Sequence, residues 1–265
     1  MNKTGVKKMK MKFFIGALAV CSLVPAAGCS IKPNFPVNAE SSTVIQLTQA
    51  EQTVINEATS EKTTSRFIRL DDGAYPCFDN ALFLGSSRVE TLAEYGLAPN
   101  ADNFAKVGLN IRTIYDKSPN GGASIFEKTC YGSYDRIILV FGDNECAWPY
   151  LNVFEDEYIG LINSISEKQP DAKIYLQSVL PISKKANEDE VNIKDGYTME
   201  NIDKINEVIK DVAEQTDSVY ISAPEEFTAD EGFMPEEAAS DGIHFGKKYC
   251  LIWLEYLAKI MEGQQ

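Results

Sequence analysis

From about residue 66 the chain alternates short apolar runs with amphipathic stretches, and few folds accept that order. Ala81–Leu84, Phe104–Val107, Arg136–Phe141, Lys173–Val179 and Ser218–Ile221 are of strand length. Between and after them, helical spacing runs over Arg88–Tyr95, Ile125–Cys130, Tyr158–Lys168, Asn201–Gln215 and Lys247–Met261, with Pro170-Asp171 breaking one helix-to-strand link. Strands that alternate with helices predict β-α units on a parallel sheet, because each crossover must travel back along the sheet face. The expected architecture is a three-layer α/β domain, a five-stranded parallel sheet with helices on both faces. In such sheets ligands bind outside the carboxyl ends of the strands.

The segment before this domain has a different texture. Lys3, Lys7, Lys8, Lys10 and Lys12 precede an apolar run from Phe13 to Ala27, too short for a comfortable membrane span and ending in small residues. Residues 1–28 are therefore expected to be an export signal. Ala26-Ala27-Gly28-Cys29 resembles a bacterial lipoprotein cleavage box, apart from Ala26 where leucine is more usual. That resemblance makes Cys29 the lipidated first residue, attaching the protein to the cell membrane with its domain on the extracytoplasmic side. The competing reading is an ordinary cleaved signal. Residues 29–65, rich in Ser, Thr, Asn, Glu and Gln, read as a flexible tether, and 66–265 as the folded domain.

Charge narrows the function. The net charge is −14, and five of the 25 basic residues but none of the 39 acidic ones fall in 1–28, so the remainder carries −19. A surface that acidic excludes nucleic acid as a partner, since phosphate neutralisation needs clustered Lys and Arg. After Cys21 and Cys29, the cysteines Cys77, Cys130, Cys146 and Cys250 remain, none in a Cys-x-x-Cys pair. No zinc or redox motif follows, and three disulfide pairings or free thiols stay open.

The chemistry lies at the strand ends. Ala81-Leu82-Phe83-Leu84 runs into Gly85-Ser86-Ser87-Arg88 and then into a helical pattern. A serine at that turn stands at the sheet edge, with its N–H among the unpaired donors of a helix start. Such donors can hold a negative oxygen, as an acyl-transfer nucleophile requires. Taken alone, Ser87-Arg88-Val89-Glu90 is equally a capping box. After the later strands come Gly108, then Gly142-Asp143-Asn144-Glu145, then Gln177-Ser178; before the last helix comes Asp241-Gly242-Ile243-His244.

In these blocks the chain resembles the SGNH, or GDSL-like, serine hydrolases. That family carries Gly-Asp-Ser, a glycine after the second strand, Gly-x-Asn-Asp and a terminal Asp-x-x-His, and all four have counterparts here in family order over about 66–262. The resemblance implies a flavodoxin-like sheet of order 2-1-3-4-5. It also implies Ser87 as nucleophile, His244 as general base and acid, Asp241 as the residue orienting the imidazole, and an oxyanion hole from Ser87, Gly108 and Asn144. His244 is the only histidine in the chain, so any histidine-assisted step must use it. Two positions depart: Ser86 stands for the aspartate of Gly-Asp-Ser, and Glu145 for the last aspartate of Gly-x-Asn-Asp. There is no Gly-x-Ser-x-Gly elbow.

The expectation is an anchored carboxylester hydrolase acting through an acyl-serine, removing O-acetyl groups from cell-wall or dietary polysaccharide, with no metal or organic cofactor implied. Tyr115, Trp148 and Tyr150 are candidates to stack on sugar rings or simply to pack. Residues 184–200 read as a charged loop, either a lid or solvated. The alternatives are a lipid esterase or thioesterase, and a non-catalytic glycan-binding lipoprotein.

Overall fold

A computed structural model of the protein describes residues 70–118, 121–228 and 231–263. The expected export signal over residues 1–28, Cys29 and the expected tether over 29–65 lie outside the described residues. All described residues belong to the second of two units, Thr64–Gln265.

Five strands, β1 (Ala81–Gly85), β2 (Asp102–Ala105), β3 (Arg136–Val140), β4 (Lys173–Gln177) and β5 (Val219–Ile221), form one sheet of order β2-β1-β3-β4-β5. Every neighbouring pair is parallel. This is the predicted order, with β1 between β2 and β3. The helices are α1 (Ser87–Glu94), α2 (Ile125–Tyr131), α3 (Leu151–Lys168), α4 (Lys184–Asn187), α5 (Glu190–Lys194), α6 (Met199–Gln215) and α7 (Lys247–Gly263).

Side-chain alternation in the central strands explains the three layers. In β1, Ala81 and Phe83 join a core with Val89 and Leu92 of α1 and Trp253, Leu254 and Leu257 of α7. Leu82 and Leu84 point the other way, into a second core with Ile125 of α2, Phe154 and Leu161 of α3, and Ile205 and Ile209 of α6. Both faces are dry, so β1 must be apolar throughout; a half-solvated strand would alternate.

Three expectations shift. The second strand is Asp102–Ala105 rather than Phe104–Val107. It is an edge strand with partly exposed side chains, so apolar content marks its position poorly. Val107 lies in the following loop, 70% exposed. Helix α3 begins at Leu151, not Tyr158, because Leu151 and Phe154 continue the stripe of Tyr158, Leu161, Ile162 and Ile165. Residues 184–200 are not simply a loop: Ser183 and Asp189 cap α4 and α5 through their side-chain oxygens, and α6 starts at Met199. The four described cysteines are free thiols; Cys77, Cys146 and Cys250 are buried.

Candidate active site

At the carboxyl end of β1, Gly85 leads into Ser86 and then Ser87, the first residue of α1. Ser87 is therefore not a side-chain cap: Ser86 occupies the N-cap position, and no side chain caps α1. The capping box read from Ser87 and Glu90 does not form. The Ser87 hydroxyl instead lies 2.9 Å from Nε2 of His244. Glu90 accepts a hydrogen bond from the Val107 N–H at 2.7 Å.

His244 and Asp241 come from the loop before α7. His244 Nδ1 is 2.7 Å from Asp241 Oδ2, while Asp241 Oδ1 accepts from the N–H groups of Ile243 and His244 at 2.9 and 2.8 Å. Because a carboxylate only accepts, Nδ1 carries the imidazole proton and Nε2 is left to accept from Ser87. Burial acts to raise the Asp241 carboxyl, but its bonds to the His244 side chain and the two backbone N–H groups hold it below its ordinary value. The turn depends on Gly242, at φ +75°, where an added Cβ would collide with Ser183 Oγ.

Ser87, Gly108, Asn144 and His244 line one cavity of about 380 Å³. Gly108 sits at φ +72°, and its N–H has no hydrogen-bond partner among the described residues. Asn144 donates one Nδ2 proton to the Leu109 carbonyl at 2.8 Å, which fixes the amide and leaves its second N–H for the cavity. The first-turn N–H of Ser87 has no acceptor within α1. The structure thus brings together every triad and oxyanion residue expected from the sequence within the described region.

Five residues that sequence reasoning did not single out, Arg88, Asp143, Asn192, Asp195 and Tyr197, complete the site. Arg88, 1% exposed, donates through Nε to Asp143 Oδ1 at 2.8 Å and through Nη2 to the Leu180 carbonyl and the Tyr197 hydroxyl at 3.0 and 2.8 Å. Tyr197 also donates to Asp143, at 2.6 Å, and the guanidinium lies 4.7 Å from the Phe245 ring centroid. Burial acts to lower the Arg88 guanidinium, but Asp143 and Tyr197 more than offset it, so the group is held charged. Asn192, Asp195 and Tyr197 give the 184–200 segment one wall of the cavity. No periodic signal marks these contacts, since each joins segments distant in sequence.

Glu145 is fully buried. Its Oε1 accepts from the Ile111 N–H at 2.9 Å and its Oε2 from the Gly142 N–H at 3.0 Å. Burial pushes its carboxyl up to about 7, against those backbone bonds and with Asp143 adding to the rise.

The aromatic candidates divide. One face of Trp148 is covered by the Arg112 guanidinium, 4.4 Å from the centroid, and its ring meets Phe154 edge-on. Tyr115 packs on Phe126. Tyr150 is 67% exposed and shares with Trp148 a separate cavity of about 220 Å³. Among the described residues no three His, Cys, Asp or Glu gather as a metal set, and no helix is long and apolar enough to cross a membrane.

No family model matches the chain, and no curated protein matches it in sequence. Solved structures do match in shape. A Streptococcus pneumonia protein described as a candidate platelet activating factor is 21% identical with a TM-score of 0.56, over 80% of this chain and 98% of that one. A protein from Slackia heliotrinireducens assigned to the SGNH hydrolases has a TM-score of 0.52 at 17% identity, over 70% and 98% of the two chains. A GDSL-like lipase from Bacteroides thetaiotaomicron has a TM-score of 0.50 at 14% identity, over 82% and 98%. Sheet order, crossovers and strand-end site together give this chain the fold of the SGNH, or GDSL-like, serine hydrolases.

Proposed function

We propose that this protein is a carboxylester hydrolase working through an acyl-serine intermediate. The observation that carries the reading is the unbroken relay Asp241–His244–Ser87, at 2.7 and 2.9 Å, facing the cavity that Gly108 and Asn144 also line. Ser87 Oγ attacks the acyl carbon as its proton passes to His244 Nε2. The oxyanion is held by the N–H groups of Ser87 and Gly108 and the Asn144 amide. Collapse breaks the bond to the alcohol oxygen, which takes the proton from His244. Water, deprotonated by the same nitrogen, then releases the acid and restores Ser87.

The substrate is an O-acetylated polysaccharide of the cell wall or diet. Asn192 and Asp195 line the cavity among Val107, Ala147 and Ile243 and offer hydrogen bonds to a sugar hydroxyl, and exposed Tyr150 offers a ring face at a separate cavity. The protein is exported and anchored through lipidated Cys29, on the basic and apolar pattern of 1–29. Cys29→Ser should abolish uptake of labelled fatty acid; persistent uptake would refute the anchor. A preference for acyl chains of eight or more carbons would favour a lipid esterase.

An organophosphonate identifies the nucleophile. It should label Ser87, and Ser87→Ala should abolish labelling and turnover while Ser86→Ala keeps substantial activity. An adduct on Ser86 reverses the assignment. A folded protein with no adduct favours the glycan-binding alternative.

A further inference from the structure

The two outer oxyanion donors stand on loops that no strand pairing joins. Gly108 follows β2 and Asn144 follows β3, but β1 lies between those strands in the sheet. Some other contact must fix the distance between the loops, because a donor misplaced by about 1 Å loses much of its effect.

We infer that Glu145 is a positioning residue that staples the two oxyanion loops together. One of its oxygens does ordinary local work: Oε2 accepts from the N–H of Gly142, three residues back, closing the 3₁₀ turn Asp143–Glu145 on which Asn144 sits. The other does not. Oε1 crosses to the Ile111 N–H at 2.9 Å, three residues beyond Gly108. The Asn144-to-Leu109 bond, at 2.8 Å, joins the same two loops, so they meet through the Glu145 side chain and the Asn144 amide. Glu145 is wholly buried, and its carboxyl group spends both oxygens on backbone donors from the two loops. The Gly108 loop is tied from its other side by Glu90 on Val107. Together these bonds leave the Gly108 N–H and one Asn144 N–H as the donors facing the cavity. The inference rests on the esterase reading, since it assigns Glu145 a part in that reaction's transition state.

The test compares wild type, Glu145→Gln and Glu145→Asp as full chains. Glutamine keeps the volume but turns an N–H₂ toward one of the two donors; aspartate keeps the charge with a shorter reach. Each is assayed for kcat and KM on a small acetyl ester, for inhibition by a boronic acid that mimics the tetrahedral state, and for thermal unfolding. Glu145→Gln should lower kcat about tenfold or more and weaken the boronic acid in step, with KM within about twofold. Glu145→Asp should recover part of both. In an Asn144→Ala background the Glu145→Gln effect should shrink severalfold, since one of the donors it positions is gone.

If Glu145→Gln does not fold, Glu145→Asp supplies the same comparison. A variant that melts lower with unchanged kcat and inhibitor affinity, or an effect of equal size in the Asn144→Ala background, overturns the staple while leaving the esterase reading intact. A wild type that neither hydrolyses esters nor takes up phosphonate overturns the esterase reading, and with it the catalytic part of this inference.

Discussion

Asn144→Ala separates transition-state stabilisation from folding in a single substitution. The side chain lines the cavity and makes one hydrogen bond, from Nδ2 to the Leu109 carbonyl at 2.8 Å. Leu109 is wholly buried, so losing that bond strands the carbonyl and costs about 1–3 kcal/mol of stability. In a domain of this size each kcal/mol lowers the melting temperature by about 2–4 °C. The kinetic loss is larger. A side-chain donor aimed at an oxyanion contributes about 2.7–4 kcal/mol, or about 100- to 1000-fold in kcat. KM should barely move, because the bond strengthens only as the carbonyl oxygen becomes an anion. The assay is steady-state hydrolysis of a small acetyl ester beside thermal unfolding of the same sample. An enzyme with unchanged kcat and a normal melt would make Asn144 a turn residue and refute the reasoning.

Three further outcomes follow from the same geometry. Asp241→Asn presents an amide to His244 Nδ1, which favours the wrong tautomer, so kcat should fall by about 10⁴; a loss under tenfold would show that Asp241 does not orient the imidazole. Ser86→Asp makes the usual block yet should destabilise the fold by about 1–3 kcal/mol in denaturant unfolding, because Ser86 is 1% exposed and its hydroxyl has no partner among the described residues; equal stability would mean that a donor reaches the new carboxylate. Glu145 has its folded pKa raised from 4.5 to about 7, so its contribution is complete below pH 4.5 and is lost as pH rises to about 7. Urea unfolding across that window should show wild type losing stability relative to Glu145→Gln, and a constant difference would contradict the burial argument.

Much of the site was legible because chemistry and chain reversal coincide here. Gly108, Gly142 and Gly242 take positive φ at the turns that present Gly108, Asn144 and His244, so turn chemistry flags the same positions as function does. Illegible were the partners of acidic side chains. Glu90 looked like half of a local cap, yet it bonds a backbone N–H 17 residues away. Glu145 looked like a mild replacement for aspartate, yet one oxygen reaches 34 residues back. Helical spacing ranks local partners only, and neither distant one has a periodic signature. The shift of β2 has a related cause: an edge strand needs less apolar surface than β1, so its ends blur.

The blocks also show why residues beside the chemistry carry as much of the site as those performing it. His244 and Asp241 have side chains 43% and 50% exposed, too open for packing alone to hold them. Their stability of position comes from the layer beneath. Arg88 follows Ser87, Asp143 precedes Asn144 and Phe245 follows His244. The buried guanidinium touches both others, bonded to Asp143 and lying over the Phe245 ring. One side chain thus links the backbones carrying Ser87, Asn144 and His244, and its bonds to Leu180 and Tyr197 add the β4 loop and the cavity wall. Replacing either partner alone would leave a buried charge uncompensated, a loss of about 3–5 kcal/mol for a buried pair. The departure at Ser86 therefore falls at a position the interlock does not use, and the groups that fix Ser87, Asn144 and His244 relative to one another are all in place.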